Sequence, residues 1–142
     1  MDLEKIRKGE VKNLSCADLS CADLRGVDLR ESDLRYANLR GADLRYADLK
    51  SADLRYADLT ESDLRGADLR YADLSCADLR GVNLSGADLR YADLKYTDLR
   101  GADLRGADLR NIKTNYLTIG YNMACPEKGS FIGYKKANGC LI

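Results

Sequence analysis

The strongest constraint on the fold is a leucine at every fifth position from Leu14 to Leu109, twenty in all. On an α-helix, each step of five residues would rotate the leucine by about 140°, which spreads the leucines over all sides. On a flat strand, odd spacing would place successive leucines on opposite faces. A coil that turns a corner once per repeat buries every leucine, and its turns stack about 4.8 Å apart as parallel strands do. The spacing therefore predicts a β-solenoid.

Each repeat has five slots, which we name small, acidic, leucine, basic and last, as in Ala42–Tyr46. The small slot is Ala in most repeats, as a narrow interior demands, because extra methylenes there cost about 1–3 kcal/mol. The last slot takes Tyr and Gly alike, so we expect it to lie outside and not to require a glycine-only backbone. We therefore expect Ala67→Phe to disrupt the coil and Gly66→Phe to be tolerated. The predicted core includes Leu44, Leu64, Leu84, Ala42 and Ala67.

The A-(D/N)-L-x-x repeat resembles that of the pentapeptide-repeat family over residues 12–111. The resemblance implies an all-β solenoid, a right-handed quadrilateral parallel β-helix with four repeats per coil. It also implies that the leucine and small slots face inward. Twenty repeats would then form about five coils, a rod about 24 Å long. We expect the β-helix to span residues 12–119, because alternate apolar residues continue beyond Leu109.

Both ends of the chain depart from the repeat. Residues 1–11 are expected to form an N-terminal cap, with Asp2 capping a helical turn that carries Leu3 and Ile6. Residues 120–142 are expected to form a C-terminal cap or a truncated hairpin segment. This tail resembles the start of a small domain of unknown function that follows pentapeptide repeats in some phage and bacterial proteins. A solenoid end or this tail also offers an edge for a homodimer.

The composition offers little for catalysis. There is no histidine, the commonest general base and metal ligand. The carboxylates recur once per repeat beside Arg or Lys, which is typical of a salt-bridged surface. The five cysteines lack metal-ligand spacing, and their odd number argues against a disulfide framework, so we expect reduced thiols in a cytoplasmic protein. We expect no enzyme activity, no cofactor, no metal and no membrane segment.

Four repeats per coil would align residues 20 apart into vertical columns on the surface. Interleaved Arg and Tyr suit nucleic-acid binding, but the aspartates bring every face to a net charge between −2 and 0. Nucleic acid is therefore not the expected partner. The candidate contact residues lie in two columns: Tyr36, Tyr56 and Tyr96 on the first face, and Arg30, Arg70, Arg90 and Arg110 on the fourth.

The resemblance implies two functions. Some family members protect DNA gyrase with a rod that resembles duplex DNA in width and charge, which needs a strongly acidic surface. Residues 12–111 instead carry 16 basic and 19 acidic side chains. The chain also lacks the inserted loops and the long apolar C-terminal helix of gyrase-binding members. We therefore expect a noncatalytic scaffold or protein-interaction module with an unidentified protein partner, and we keep binding of gyrase or another topoisomerase as the alternative.

Overall fold

The structure, a computed structural model, describes residues 3–115. Within this range the helix α1 spans Leu3–Arg7, and the β-structure consists of isolated bridges one residue long. All 17 bridges are parallel, and each joins two residues that are 20 positions apart. Four five-residue repeats therefore complete one coil, and each coil stacks on the one before it.

The bridges define four faces, which we number in chain order. Each face has five bridged acidic slots, one per coil, and face 1 continues to Lys113, which bridges to Asp93. Face 1 consists of residues 12–15 and the corresponding residues at each step of 20. The last slot of each repeat forms the corner where one face ends and the next begins. The first coil presents Asn13, Asp18, Asp23 and Asp28 on faces 1 to 4.

Backbone hydrogen bonds connect the coils at every repeat. The Leu44 N–H donates to the Asp63 carbonyl at 2.8 Å, and the Asp63 N–H donates back to the Ala42 carbonyl at 3.0 Å. At every corner before Asn111 a four-residue turn closes, as where the Ala47 N–H donates to the Leu44 carbonyl at 3.0 Å. The third residue of that turn, Tyr46, has φ of 58°, the positive value that type II turns require.

All twenty last slots share this left-handed backbone, with φ between 54° and 72°. Thirteen of them are not glycine, so the prediction that the slot does not require glycine is correct. The left-handed conformation itself was not predicted. It costs a residue with a Cβ roughly 1–2 kcal/mol, so the hydrogen bonds between coils hold a strained backbone in place.

The core is a continuous column of leucine and small side chains along the rod. The predicted core residues Leu44, Leu64, Leu84, Ala42 and Ala67 are all buried, with at most 1% of each residue exposed. In the middle coils, the parallel bridges stack each leucine between the leucines 20 residues before and after it. Burial of one leucine contributes roughly 1.5–3 kcal/mol, so the interior outweighs the strain at the corners.

Helix α1 lies against the first coil. Ile6 is fully buried within the core cluster. The Arg7 guanidinium donates to the Asp23 carbonyl at 2.9 Å, and the Lys12 ammonium donates to the Asp28 carbonyl at 3.2 Å. Ile6 and Arg7 of the N-terminal segment therefore cover the end of the first coil, on which no earlier coil stacks.

Gly66 is less open than the sequence suggests. A Cβ at Gly66 would lie 2.7 Å from Cε1 of Tyr46, because the Tyr46 ring leans over the corner of the next coil. Gly66→Phe therefore requires the exposed Tyr46 ring to shift, and the tolerance of this substitution stays a prediction. Gly86, one coil beyond Gly66 in the same column of corners, has no atom within 4 Å of its Cβ position, so a side chain there would meet open space.

Several expectations lie outside the described residues. These are the cap by Asp2, the alternating residues Leu117 and Ile119, and the segment 120–142 with its two cysteines. The division into residues 1–11, 12–119 and 120–142 stays a prediction. Cys16, Cys21 and Cys76 are free thiols at corners of the rod.

Candidate interaction surface

The acidic slot has a structural role in every repeat. Its side-chain oxygen accepts the backbone N–H two residues later, as from Arg45 to Asp43 at 3.3 Å and from Arg40 to Asn38 at 3.2 Å. This Asx turn needs an oxygen but no charge, which explains why Asn replaces Asp in three repeats. The regular carboxylates therefore shape the corners, and the sequence analysis missed this role.

The basic slot neutralises the acidic slot. In a typical repeat the Arg45 guanidinium donates to both oxygens of Asp43 at 2.8 and 2.6 Å, and its Nε lies 3.8 Å from Asp63 in the next coil. Twelve of the thirteen repeat arginines pair in this way with the Asp of their own repeat. Such hydrogen bonds from Arg35 hold the pKa of Asp33 down at about 2. Ladders of paired charges thus run along the rod.

The predicted arginine column on face 4 belongs to these ladders. Arg30, Arg90 and Arg110 each donate to the Asp of their own repeat at 2.6–2.7 Å, and Arg70 does the same to Asp68. Between coils, Arg30 and Arg90 also lie 3.6 Å from the next Asp. Because these guanidinium groups are already paired, a phosphate would have to compete with a carboxylate for each of them.

The predicted tyrosine column forms a stacked pair. The rings of Tyr36 and Tyr56 lie 5.0 Å apart and are parallel within 4°. A hydrogen bond with the Cys76 side chain raises the pKa of the Tyr56 phenol. Tyr96 lies two coils beyond Tyr56, with Cys76 between them. Its ring is exposed and does not stack on the other tyrosines of the column. The column therefore offers one stack and one separate ring.

A second stack of tyrosines also borders face 1. Tyr71 and Tyr91 stack with 4.9 Å between ring centroids. Each directly precedes a face 1 segment, whereas Tyr36 and Tyr56 directly follow one. Among the exposed tyrosines of residues 3–115, five of the six therefore border face 1, and Tyr46 lies at the corner between faces 3 and 4. The sequence could have shown this, because each last slot lies at the corner between two faces and Tyr71 and Tyr91 directly precede face 1 segments.

The charge ladders are interrupted at a few places. On face 2, Arg40 has no ion pair among the described residues, because its acidic slot is Asn38. Thr60 replaces the arginine beside Asp58, and Ser75 replaces it beside Asp73 on face 1. A shallow depression of about 250 Å³ opens at the face 2 interruption. Its lining consists of Arg40, Asp58, Thr60, Glu61, Arg80 and Gly81.

The remaining chemistry of residues 3–115 is sparse. No group of three or more His, Cys, Asp or Glu side chains in this range is arranged to hold a metal ion. The same range contains no helix long and apolar enough to cross a bilayer. What the arrangement offers is a regular surface for contact with another molecule.

A four-sided coil of five-residue repeats, each with an inward leucine, defines the class of pentapeptide-repeat solenoids. The sequence profile of the family "Pentapeptide repeats" matches residues 13–50, 47–86 and 83–113, with eight copies. Together these segments cover most of the chain, so the protein belongs to the pentapeptide-repeat family. None of the curated proteins compared with the chain matches it.

Solved structures of other pentapeptide-repeat proteins are similar. Rfr23 from the cyanobacterium Cyanothece 51142 has a TM-score of 0.64 and 38% identity, over 64% of this chain and 62% of that one. A protein of the Arabidopsis thaliana thylakoid lumen has a TM-score of 0.47 and 37% identity, over 75% and 71%. QnrB1, a plasmid-mediated fluoroquinolone resistance protein, has a TM-score of 0.36 and 19% identity, over 73% and 78%. The chain thus spans less than two thirds of Rfr23, and its similar structures come from a plant as well as from a cyanobacterium.

Proposed function

We propose that this protein is a noncatalytic scaffold or interaction module whose rod presents tyrosines to a protein partner. The observation that carries the proposal is the pair of exposed stacks, Tyr36–Tyr56 and Tyr71–Tyr91, on a frame whose charges are largely paired. Tyrosine is a frequent anchor at interfaces, and rings that are already stacked lose little freedom on binding. The carboxylates serve turns and ion pairs, which supports a role without catalysis.

The proposal includes the finer features of the rod and its two ends. These are a right-handed quadrilateral rod of about five coils, a cap formed by residues 1–11, and a C-terminal cap or hairpin formed by residues 120–142. We also propose a cytoplasmic location with reduced thiols, and self-association through a solenoid end or the tail. The near-neutral faces support a protein rather than a nucleic acid as the partner.

The test compares proteins retained by the immobilised full chain with those retained by a variant. In the variant, Tyr36, Tyr56, Tyr71 and Tyr91 are all replaced by Gly, which already occupies seven of the twenty last slots and suits the left-handed backbone. We expect specific proteins from extracts of the encoding organism to be retained by the wild type and lost by the variant. Identical sets of retained proteins would contradict the proposal, as would binding of nucleic acid that falls steeply with salt.

A gyrase supercoiling assay, with and without a quinolone, tests the alternative. Inhibition or drug protection at low micromolar protein would support topoisomerase binding in spite of the paired charges. The aspartates of the ladders would then be the first residues to mutate. No effect would count against that alternative and leave the interaction module.

A further inference from the structure

Face 1 differs from the other faces in its borders. Within the described residues it is the face that has a stacked tyrosine pair at each edge, Tyr36–Tyr56 on one side and Tyr71–Tyr91 on the other. The two pairs lie at different heights along the rod, since the first belongs to earlier coils than the second. A partner that crosses this face would therefore meet aromatic surface on both sides.

The charge ladder of face 1 has a gap between these stacks. Ser75 stands in the basic slot, between Arg55 and Lys95 of the neighbouring coils. Its hydroxyl donates to Asp73 at 2.6 Å, so the repeat supplies a hydrogen bond but no cation. The nearest guanidinium nitrogen, Nε of Arg55, lies 3.8 Å from Asp73, against 2.6–2.7 Å for most pairs within a repeat. Asp73 is therefore incompletely neutralised.

Asp73 is also the most accessible of the four aspartates on the face. Its side chain is 42% exposed, compared with 28% for Asp33, 32% for Asp53 and 18% for Asp93. It follows the Tyr71 corner by two residues. An arginine side chain can donate two parallel hydrogen bonds to a carboxylate while its flat guanidinium lies on an aromatic ring, which a lysine cannot do as well.

We infer that Asp73, beside the Tyr71–Tyr91 stack, is the point on face 1 that binds an arginine side chain of a protein partner. This inference rests on the proposed function and names the chemistry of its partner. The charges elsewhere on the face are paired, so a partner cation that bound there would have to displace Arg35, Arg55 or Lys95 from a carboxylate. At Asp73 the partner would compete only with the 3.8 Å contact from Arg55, which keeps its bidentate pair with Asp53.

The repeat itself supplies matched variants. Ser75→Arg gives Asp73 the bidentate partner that twelve other repeats have, which closes the site while preserving the fold. Asp73→Asn removes the charge and keeps the oxygen of the Asx turn, as Asn38 does in its repeat. The control Thr60→Arg makes the same kind of change beside Asp58 on face 2.

The probe is a phage-displayed library of random twelve-residue peptides, panned on the immobilised full chain, with recovered peptides then synthesised for affinity measurement. We expect arginine to be enriched over lysine at one position of the recovered peptides. Ser75→Arg and Asp73→Asn should each weaken binding roughly tenfold, since a charged hydrogen-bonded contact is lost, whereas Thr60→Arg should leave it unchanged. Thermal unfolding monitored by circular dichroism verifies that every variant folds.

Any of four results would overturn the inference. One is that no peptide is recovered more often on the full chain than on an unrelated control protein. Another is that the recovered peptides are not enriched in arginine, and a third is that Ser75→Arg leaves binding intact. Binding that Thr60→Arg abolishes would assign the contact to the depression on face 2 and would equally refute it. If Ser75→Arg has no effect while the four tyrosine replacements remove binding, the proposed function stands and only the role of Asp73 fails.

Discussion

Replacement of Leu64 by Ala tests whether the interior is a rigid, close-packed column. Leu64 is 1% exposed and lies between Leu44 and Leu84, which are both fully buried. Its N–H donates to the Asn83 carbonyl at 2.7 Å, and the Leu44 N–H donates to the Asp63 carbonyl at 2.8 Å. Because these bonds fix the separation of three successive coils, the backbone cannot move inward to fill the space left by the side chain.

The expected loss of stability follows from the groups removed. Leu64→Ala removes three carbon groups, each worth about 0.8 kcal/mol of burial, which gives about 2.4 kcal/mol. A cavity that does not collapse adds to this, so we expect a loss of about 4–5 kcal/mol, near the upper end for such changes. Leu104, in a later coil, is 7% exposed, and its site is freer to relax. Leu104→Ala should therefore cost less, about 3 kcal/mol.

The assay is equilibrium unfolding in urea, followed by circular dichroism and by the fluorescence of tyrosine, since the chain has no tryptophan. The comparison is valid where both probes give one transition and the m-value matches the wild type. A loss below about 2 kcal/mol at Leu64, or equal losses at Leu64 and Leu104, would refute a rigid column with a fixed coil spacing.

Three further predictions concern the small slot, a buried hydroxyl and pH. Ala67→Phe should destabilise the rod by about 3 kcal/mol or more, because the interior is already filled. Gly86→Phe, at an open corner, should cost only the roughly 1–2 kcal/mol of a left-handed backbone. Equal shifts in the urea midpoint would contradict the assignment of the small slot to the interior and of the last slot to the surface. Ser32→Ala should raise stability by about 1 kcal/mol, because the buried Ser32 hydroxyl has no hydrogen-bond partner among the described residues. Ser62→Ala should not raise stability, because the Ser62 hydroxyl donates to the Leu59 carbonyl at 2.7 Å. A change of Tm in the same direction for both variants, measured by calorimetry, would refute this explanation. Hydrogen bonds from arginine lower the pKa of the aspartates that they pair with, that of Asp33 from 3.8 to about 2. The stabilisation from these pairs is therefore present above the ordinary pKa and lost as pH falls through the lowered one. We expect Tm to be constant from about pH 7 to 5 and to fall between about pH 4 and 2, and a Tm that stays constant to pH 2 would exclude this linkage.

The period of five predicted the coil because burial of leucine dominates the energetics. Leu44 and Leu64 leave water together only if the chain turns a corner in each repeat. The left-handed corner at Tyr46 was not predictable in the same way, because tyrosine ordinarily avoids that backbone conformation. The strained conformation persists because hydrogen bonds to the adjoining coils fix the corner. Those bonds join residues 19 to 21 positions apart, so a local sequence pattern does not show them.

The candidate surface was predictable only in part. The 20-residue columns brought Tyr36 and Tyr56 together, and the rings do stack. The periodicity did not indicate that the Tyr46 ring leans over Gly66, since the direction of a side chain along the rod depends on its rotamer and neighbours. The use of Asn in three acidic slots was an available sign of the Asx turn, since Asn retains the oxygen and loses the charge.

The same regularity limits where a partner can be recognised. The leucine and small slots are fixed by packing, the acidic slot by its turn, and the last slot by a left-handed backbone that Gly and a few other residues occupy. A complete pair such as Arg45 with Asp43 has its charge and hydrogen bonds satisfied, so a partner gains little from it after breaking it. An incomplete pair, such as Asp73 beside Ser75, offers a partner charge without that cost. Recognition on this rod should therefore fall where the repeat departs from its own pattern rather than where it follows it.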